Sequence, residues 1–440
     1  MIENTSRKQN NSIDVPFILL TAVTCVLVLF GSHSSIFSLI AFLISILVIC
    51  KYEITYTLAF MMVLMPFAGM FKFSPTGTSF FTYLELLFVL LSFFRRGFKL
   101  YGSEASISLF ALFLISTQLI FTGSVLVTNT IKIISHLLLI VYVTRVEIED
   151  TTPVYFGYIL GFIAASLCSR ITSSFFNLSL YTELKTQRIG NDVVTRFSGF
   201  YGDPNYYGVN LIICLCLLLI LYRKKKISLI PTAIIASVLI VFAGMTASKS
   251  VYLVLIIPFV IFVITLFQDR KFLPAVCFTI LGVFAVILVF RGGIFDSVTN
   301  RIINAGNDLN ELTTGRYVIW INYLDHIKSS FLSARFLLGN SIANILLDNR
   351  AAHNTYIDML YQLGVFGTIW ILSIIIIAFK RGKKSIHRVQ LNYSVLIVIA
   401  ILYFALSELQ YYDMPYHLIL AFLTINDSID ESICAKADAI

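Results

Sequence analysis

Charge is scarce in this chain. Of its 440 residues only 13% are Asp, Glu, Lys or Arg while 58% are hydrophobic, and the mean hydropathy is +0.88. A soluble domain carries roughly a quarter charged residues. The excess apolar surface cannot be buried in water, so lipid must be the solvent for most of the chain. Histidine is scarce too: the six present include none at metal-ligand spacing from a cysteine or from each other, so neither a metal site nor another cofactor is expected. There is no phosphate loop, dinucleotide fingerprint, HExxH, CxxC pair or nucleophile elbow, and no DNA-binding signature, so nucleic acid is excluded as a partner. The seven cysteines fall in apolar runs, at their edges or in the C-terminal tail, and none lies in a long polar loop, so no disulfide framework is expected.

What the chain has instead is a succession of apolar runs. With about 20 apolar residues needed to span a bilayer, candidates lie at 15–30, 35–50, 54–71, 80–94, 105–122, 126–143, 153–175, 206–222, 228–247, 251–267, 272–290, 355–379, 391–409 and 414–426. The fourth and the last are short, which leaves 12 to 14 spans, an even number in either case. The first run lacks a small-residue cleavage site and reads as a retained helix rather than a signal peptide. The fold expected is an all-α polytopic integral membrane protein.

Every second connection is basic: Lys51, the cluster Arg95-Arg96-Gly97-Phe98-Lys99, Arg145, Arg223 to Lys226, Arg270-Lys271, and the cluster from Lys380 to Arg388. The short connections between them hold only Lys72 and Lys249. Lys and Arg in short loops mark the cytoplasmic side, so both termini are expected inside. The chain then divides into a cytoplasmic tail (1–14), spans over 15–175, an outer loop (176–206), spans over 207–290, a large outer loop (291–353), spans over 354–426 and a cytoplasmic tail (427–440). Long loops are exempt from the charge bias, so arginines in the two outer loops do not contradict this orientation. In the second loop, Tyr317, Trp320, Ile321 and Leu324 recur at i, i+3, i+4 and i+7, the apolar face of a helix. Such a helix suits either the membrane interface or the tops of the spans. Glu85, in mid-span, should face the bundle interior, with Lys132 or Arg170 as a structural partner or as part of a substrate path.

The outer loops also collect cations: Arg188 and Arg196 in the first, Lys249 in the turn after the ninth span, and Arg301 and Arg316 in the second. Guanidinium groups suit a phosphate or diphosphate, and equally suit lipid headgroups or carboxylates such as Asp203, Asp308 and Glu311. His353 closes the second loop, where an imidazole serves as a general base or as a structural hydrogen-bonder. The residue types alone leave both open. The aromatics around Asp203-Pro204-Asn205 (Phe197, Phe200, Tyr201, Tyr206 and Tyr207) suit a sugar-stacking cleft or an interfacial belt.

Three stretches together resemble a known family: Arg196-Phe-Ser-Gly-Phe200 with Asp203-Pro-Asn205; Ser248-Lys249 opening a span; and the loop with Gly315-Arg316, Leu338-Gly339 and a closing His353-Asn354. Their order and placement, from about 190 to 380, resemble the O-antigen ligases and Wzy-type polysaccharide polymerases. The resemblance implies a metal-independent glycosyltransferase of GT-C-like architecture in the bacterial inner membrane. Its donor would be an undecaprenyl-diphosphate-linked oligosaccharide, and its further partners membrane lipids and a chain-length regulator and flippase of the same pathway. It implies that Arg196 and Arg316 hold the diphosphate with help from Lys249 and Arg188. His353 would orient or deprotonate the acceptor hydroxyl, and Asn205, Asn354 and Tyr356 would position substrate. The family commonly has Arg where this chain has Lys249, which keeps the charge and loses the bidentate fork. The Asp203-Pro204-Asn205 element and the Ala352-His353-Asn354-Thr355-Tyr356 ending look more like a polymerase than a ligase. A lipid-oligosaccharide flippase or another transporter is the reading from a different class, although no internal repeat of the transporter kind is visible.

Overall fold

The computed structural model describes residues 15–74, 78–95, 101–145, 148, 150–175, 185–189, 192–246, 248–291, 313, 315–343, 347, 350–382 and 388–406. The last apolar run, Glu408, the tails, Arg301, Asp308 and Glu311 lie outside these residues. Among the described residues the protein is helical apart from one small hairpin. A backbone in lipid must satisfy its own hydrogen bonds, and the helix does so within a single segment.

Helices α1 (Val15–Phe30), α2 (Ser35–Lys51), α3 (Ile54–Leu64, extended by a 3-10 turn to Phe67), α4 (Phe80–Arg95), α5 (Gly102–Thr122), α6 (Val127–Val143) and α7 (Thr152–Phe175) form the first half. Strands β1 (Lys185–Ile189) and β2 (Asp192–Arg196) follow, then α8 (Pro204–Arg223), α9 (Leu229–Met245), α10 (Lys249–Gln268) and α11 (Phe272–Arg291). Helices α12 (Arg316–Ser329) and α13 (Ala334–Leu338) belong to the second long loop, and α14 (Thr355–Gly382) and α15 (Arg388–Ala405) complete the described chain. The first thirteen apolar runs of the sequence are therefore all helical, and the chain is an all-α polytopic membrane protein. Among the described residues five helices (α5, α7, α8, α10 and α14) are by themselves long and apolar enough to cross a bilayer.

Helix α8 is the axis of the larger bundle. It is apolar all round, and 94% of its spanning window is buried, as expected of a helix enclosed on every side. It packs against α7, α9, α10 and α15. A second core joins α5, α6 and α14, where Trp370 meets Phe110 edge-on at 5.5 Å. Leu138 and Ile375 touch both cores.

The connections sort to two ends. At the basic end Arg95 donates to the carbonyls of Ile49 and Cys50, and Arg145 pairs with Glu104 and Ser103 while stacking 4.2 Å over Tyr101. Arg223 pairs with Asp269 at 2.8 Å, and Lys226 reaches Asp150 at 3.5 Å. Burial alone would raise the Asp150 carboxyl; hydrogen bonds from Thr152 and the Lys226 charge outweigh it and hold the group below its ordinary value. At the opposite end lie the connections that carry the long loops.

Glu85 does face the interior, but its partner is neither Lys132 nor Arg170. His136 Nδ1 of α6 lies 3.1 Å from Glu85 Oε2, and both side chains are fully buried. Glu85 and His136 come from two helices that pack together, so the sequence separation conceals a lateral pair.

Candidate functional site

Two walls of polar residues stand at the loop-bearing end. The first is built where the chain returns from the hairpin. The backbone pairs Lys185 with Arg196 and Ile189 with Asp192, and this register sets Arg188 opposite Val193. The sequence alone reads this stretch as plain loop. Directly after β2 the backbone N–H of Phe197 donates to Met245 O at the end of α9 (2.9 Å), and Arg196 Nε donates to Thr246 O (3.1 Å). The first loop is thereby latched onto the α9–α10 turn.

Asp203 then starts α8. Its Oδ1 accepts from the backbone N–H groups of Asn205 (2.7 Å) and Tyr206 (3.1 Å), with Pro204 in the first helical turn. That is an N-cap of the preferred chemistry. It leaves the Asn205 side chain pointing to the turn, where Oδ1 accepts from Ser248 Oγ (2.5 Å) and from Arg196 Nη2 (3.4 Å). Arg196, Asn205 and Ser248 are therefore one hydrogen-bonded unit, and Lys249 is the first residue of α10 beside it.

Three aromatics of this region are core, while Tyr201 and Tyr206 are half-buried against it. Phe197, Phe200 and Tyr207 are buried, Tyr207 packs 4.9 Å from Phe162 of α7, and its hydroxyl meets Ser166 Oγ at 2.8 Å. Their rings anchor the loop rather than forming a sugar-stacking cleft. Lys72 lies in the α3–α4 connection, which touches the same loop through Gly69 and Phe200. Burial, together with the charge of Lys132, lowers the Lys72 ammonium below its ordinary value.

The second wall is carried by α12. Its N-terminal residue is Arg316, half-buried and preceded by Gly315 in the left-handed region (φ 84°). One turn on, Trp320 Nε1 donates to Ala352 O at 2.9 Å, and Tyr323 hydroxyl donates to Arg350 O at 2.7 Å. These two bonds hold the strap that ends in His353, which is exposed and has φ +50°. A non-glycine residue in that region is strained and persists only when its surroundings over-determine it. Asn354 next caps α14, its Oδ1 accepting from the N–H groups of Tyr356 (3.1 Å) and Ile357 (3.3 Å). Tyr356 hydroxyl donates to Leu402 O of α15 at 3.3 Å.

The apolar face expected on α12 is not its packed one. Tyr317, Ile321 and Leu324 are exposed, whereas Tyr323 and Ile327 are buried against Ala352 and Tyr361. The helix thus has two apolar faces. One grips the strap, and the other is open, as suits an element lying at a membrane interface.

Beneath the strap α14 is broken. Gly364 has non-helical dihedrals (φ 64°, ψ −172°), and the carbonyls released at Tyr361 and Gln362 accept from the backbone N–H groups of Asn340 (2.8 Å) and Ser341 (3.0 Å). A Cβ on Gly339 would sit 2.2 Å from Gln362 O, and one on Gly364 would sit 2.3 Å from Gly339 N. Only glycine lets α13 dock this closely, which explains Leu338-Gly339 in physical terms.

The structure therefore unites Arg196 with Asn205 and Ser248 by hydrogen bonds, and ties α12, which begins at Arg316, to the strap that leads to His353 and Asn354 through Trp320 and Tyr323. Helix α15 packs on α8 and α10 and accepts the Tyr356 bond. Of the residues unnoticed in the sequence, Tyr323 carries a polar tip three positions after Trp320, and Asp358 is an acid inside an apolar run.

A polar site at one end of an all-α membrane bundle defines the class. Within it, residues 234–372 match the family model described as O-antigen ligase, so the chain carries a domain of that family. The match takes in Lys249, the whole of α12, the strap and the first turns of α14, while Arg196 and Asn205 precede it. The family points to a glycosyltransferase-like enzyme of the O-antigen pathway. No curated protein matches the chain, and no solved structure does.

Proposed function

We propose that this protein is a polysaccharide polymerase. On this reading it transfers glycan from an undecaprenyl-diphosphate-linked donor to a lipid-linked repeat unit at the outer face of a bacterial inner membrane. The observation that carries the proposal is the bond from Trp320 to Ala352, which couples the helix bearing Arg316 to the strap bearing His353. A cation and a base held by one rigid element are what a displacement at a sugar carbon requires. The acceptor hydroxyl attacks the anomeric carbon and its proton passes to His353. The bond to the diphosphate oxygen breaks, and Arg316, Arg196 and Lys249 take up the charge on the leaving group. Fixed cations do this without rearranging, and a positioned base adds about 10²–10⁴ in rate. Arg188 extends the cation set, and Asn205 orients Arg196.

The cytoplasmic side is assigned to the basic end on the charge bias of its connections, which puts both walls outside. A chain-length regulator and a flippase of the same pathway are the protein partners proposed.

The ligase reading is favoured by the description of the matched family itself. The two are separated by the glycan profile of a deletion strain. Loss of a polymerase leaves single repeat units on the lipid A core, and that is the expected result. If no unit reaches the core, the protein is the ligase.

A further inference from the structure

The turn between α12 and α13 places two large apolar side chains side by side at the surface. Phe331 is 65% exposed and Leu332 is 73% exposed. Leu332 also has φ +61°, a region in which leucine is strained. The ring of Phe331 meets that of Phe336 edge-on at 5.0 Å and is otherwise open.

The depth of this turn follows from what α13 docks on. Asn340 and Ser341, just past α13, donate their backbone N–H groups to Tyr361 O and Gln362 O of α14, at 2.8 and 3.0 Å. A Cβ on Gly364 would sit 2.6 Å from Leu337 O, and one on Gly367 would sit 2.8 Å from Cε1 of Phe113. Phe113 belongs to α5, a helix able to span a bilayer alone, which begins at the basic end beside Arg145 and finishes at Thr122. Nine residues separate Phe113 from Thr122. At about 1.5 Å per residue, Gly364 lies about 9 Å below the loop-bearing end of α5. The second loop therefore does not stay above the spans: α13 descends beside one of them. Its irregular exit at Gly339–Ser341 is buried against α14, the condition on which such backbone is tolerated at membrane depth.

Helix α12 agrees with this placement. Successive residues are about 100° apart around a helix, and they divide α12 into three sectors. Tyr323 and Ile327 face the strap. Asn322, Asp325 and Ser329 are exposed and polar. Tyr317, Ile321 and Leu324 are exposed and apolar, and Lys328 closes that side. One packed and one wet sector suffice for a helix on a protein surface. A third, apolar and unpacked, calls for a second solvent. The stem of Lys328 lets its ammonium reach the headgroups from that side.

We propose that α12 and α13 are seated in the loop-side leaflet of the bilayer, with Phe331 and Leu332 inserted among its acyl chains. The partner is the lipid itself. The inference goes beyond the glycan-transfer reading and does not depend on it. It also gives Arg316, at the start of the same helix, a fixed height near the headgroups.

The test uses the full-length protein with Cys50 and Cys277 replaced by serine, reconstituted in vesicles of phosphatidylethanolamine and phosphatidylglycerol. Cysteines introduced singly at 321, 325, 331 and 332 carry an environment-sensitive fluorophore, and the signal of the cysteine-replaced parent is subtracted. At 321, 331 and 332, lipids brominated along the acyl chain should quench most of the emission, and aqueous iodide little. At 325 the order should reverse. The depth read at 332 should be about 5–10 Å below the headgroup boundary. Positions 331 and 332 report the same insertion, so either folded variant decides. Iodide quenching at 332 with none from bromolipid would place the turn in water and overturn the proposal. Protection from both quenchers would mean that a protein partner or a second copy covers the turn, and would overturn it equally. Equal bromolipid quenching at 325 and 332 would refute the division of α12 into a wet and a lipid-facing side.

Discussion

Trp320 donates its indole N–H to the carbonyl of Ala352, 2.9 Å away and 32 residues further along the chain. That bond joins the helix that begins at Arg316 to the strap that ends at His353. It makes Trp320 a residue whose loss should be felt at both proposed site positions.

Trp320→Phe keeps the ring and removes the donor. A single neutral hydrogen bond contributes about 1 kcal/mol to stability, so the thermal midpoint of the purified protein should fall only slightly. Activity should fall by more than ten times, because the strap loses its register. A variant that is destabilised but as active per folded molecule as the parent would show that the strap is held elsewhere.

The break in α14 makes a different prediction. At Gly364 a methyl group meets both a positive φ and the backbone of Gly339. Overpacking of this kind costs about 1–3 kcal/mol and unfavourable dihedrals a similar amount. Gly364→Ala should therefore reduce the folded protein recovered from membranes severely. Gly123→Ala, also at positive φ but with open space around it, should lose far less, and equal losses would refute the docking argument.

The Glu85–His136 pair is buried on both sides. Removing His136 leaves the buried Glu85 without its ion-pair neighbour, and breaking a buried charged pair costs about 3–5 kcal/mol. Glu85→Ala and His136→Ala should each destabilise strongly, while Glu85→Leu with His136→Leu should recover part of the loss. Additive effects in that double-mutant cycle would mean that the two side chains do not interact.

Orientation is checked by chemistry at the surface. Lys328 on α12 is 79% exposed. After replacement of the exposed Cys50 and Cys277 by serine, a cysteine at 328 should react with a membrane-impermeant thiol reagent added to intact spheroplasts. Reaction only after the membrane is opened would invert the topology.

The bundle was legible in the sequence because lipid imposes a single local rule, that apolar runs become helices, and the alternating basic connections follow from the same constraint. Lateral relationships were not legible. Nothing in the spacing of Glu85 and His136, or of Trp320 and Ala352, announces that they meet, since helix packing selects partners that periodicity cannot rank. The stripe Tyr317, Trp320, Ile321 and Leu324 is real at helical spacing, yet of these Trp320 alone bonds the strap, and the helix packs on it with Tyr323 and Ile327. A helix with two apolar faces gives periodicity no way to choose between them. In the candidate site the residue types Arg196, Arg316 and His353 could be picked out. The acceptors that aim Arg196, Asn205 Oδ1 and the Thr246 carbonyl, became visible only in three dimensions. Among the aromatics of the first loop, Tyr207 and Phe197 proved to be packing residues, because a loop latched onto two helices needs its own small core.

The central claim is that Arg316 and His353 act together in glycan transfer, and surface polysaccharide tests it most directly. The deletion strain is complemented with His353→Ala, with Arg316→Ala or with the parent, at membrane levels matched by immunoblot, and the chain-length distribution of the polysaccharide is compared by gel. The account predicts that both variants leave only unpolymerised repeat units, while the parent restores the full ladder. A normal ladder from either variant would contradict it.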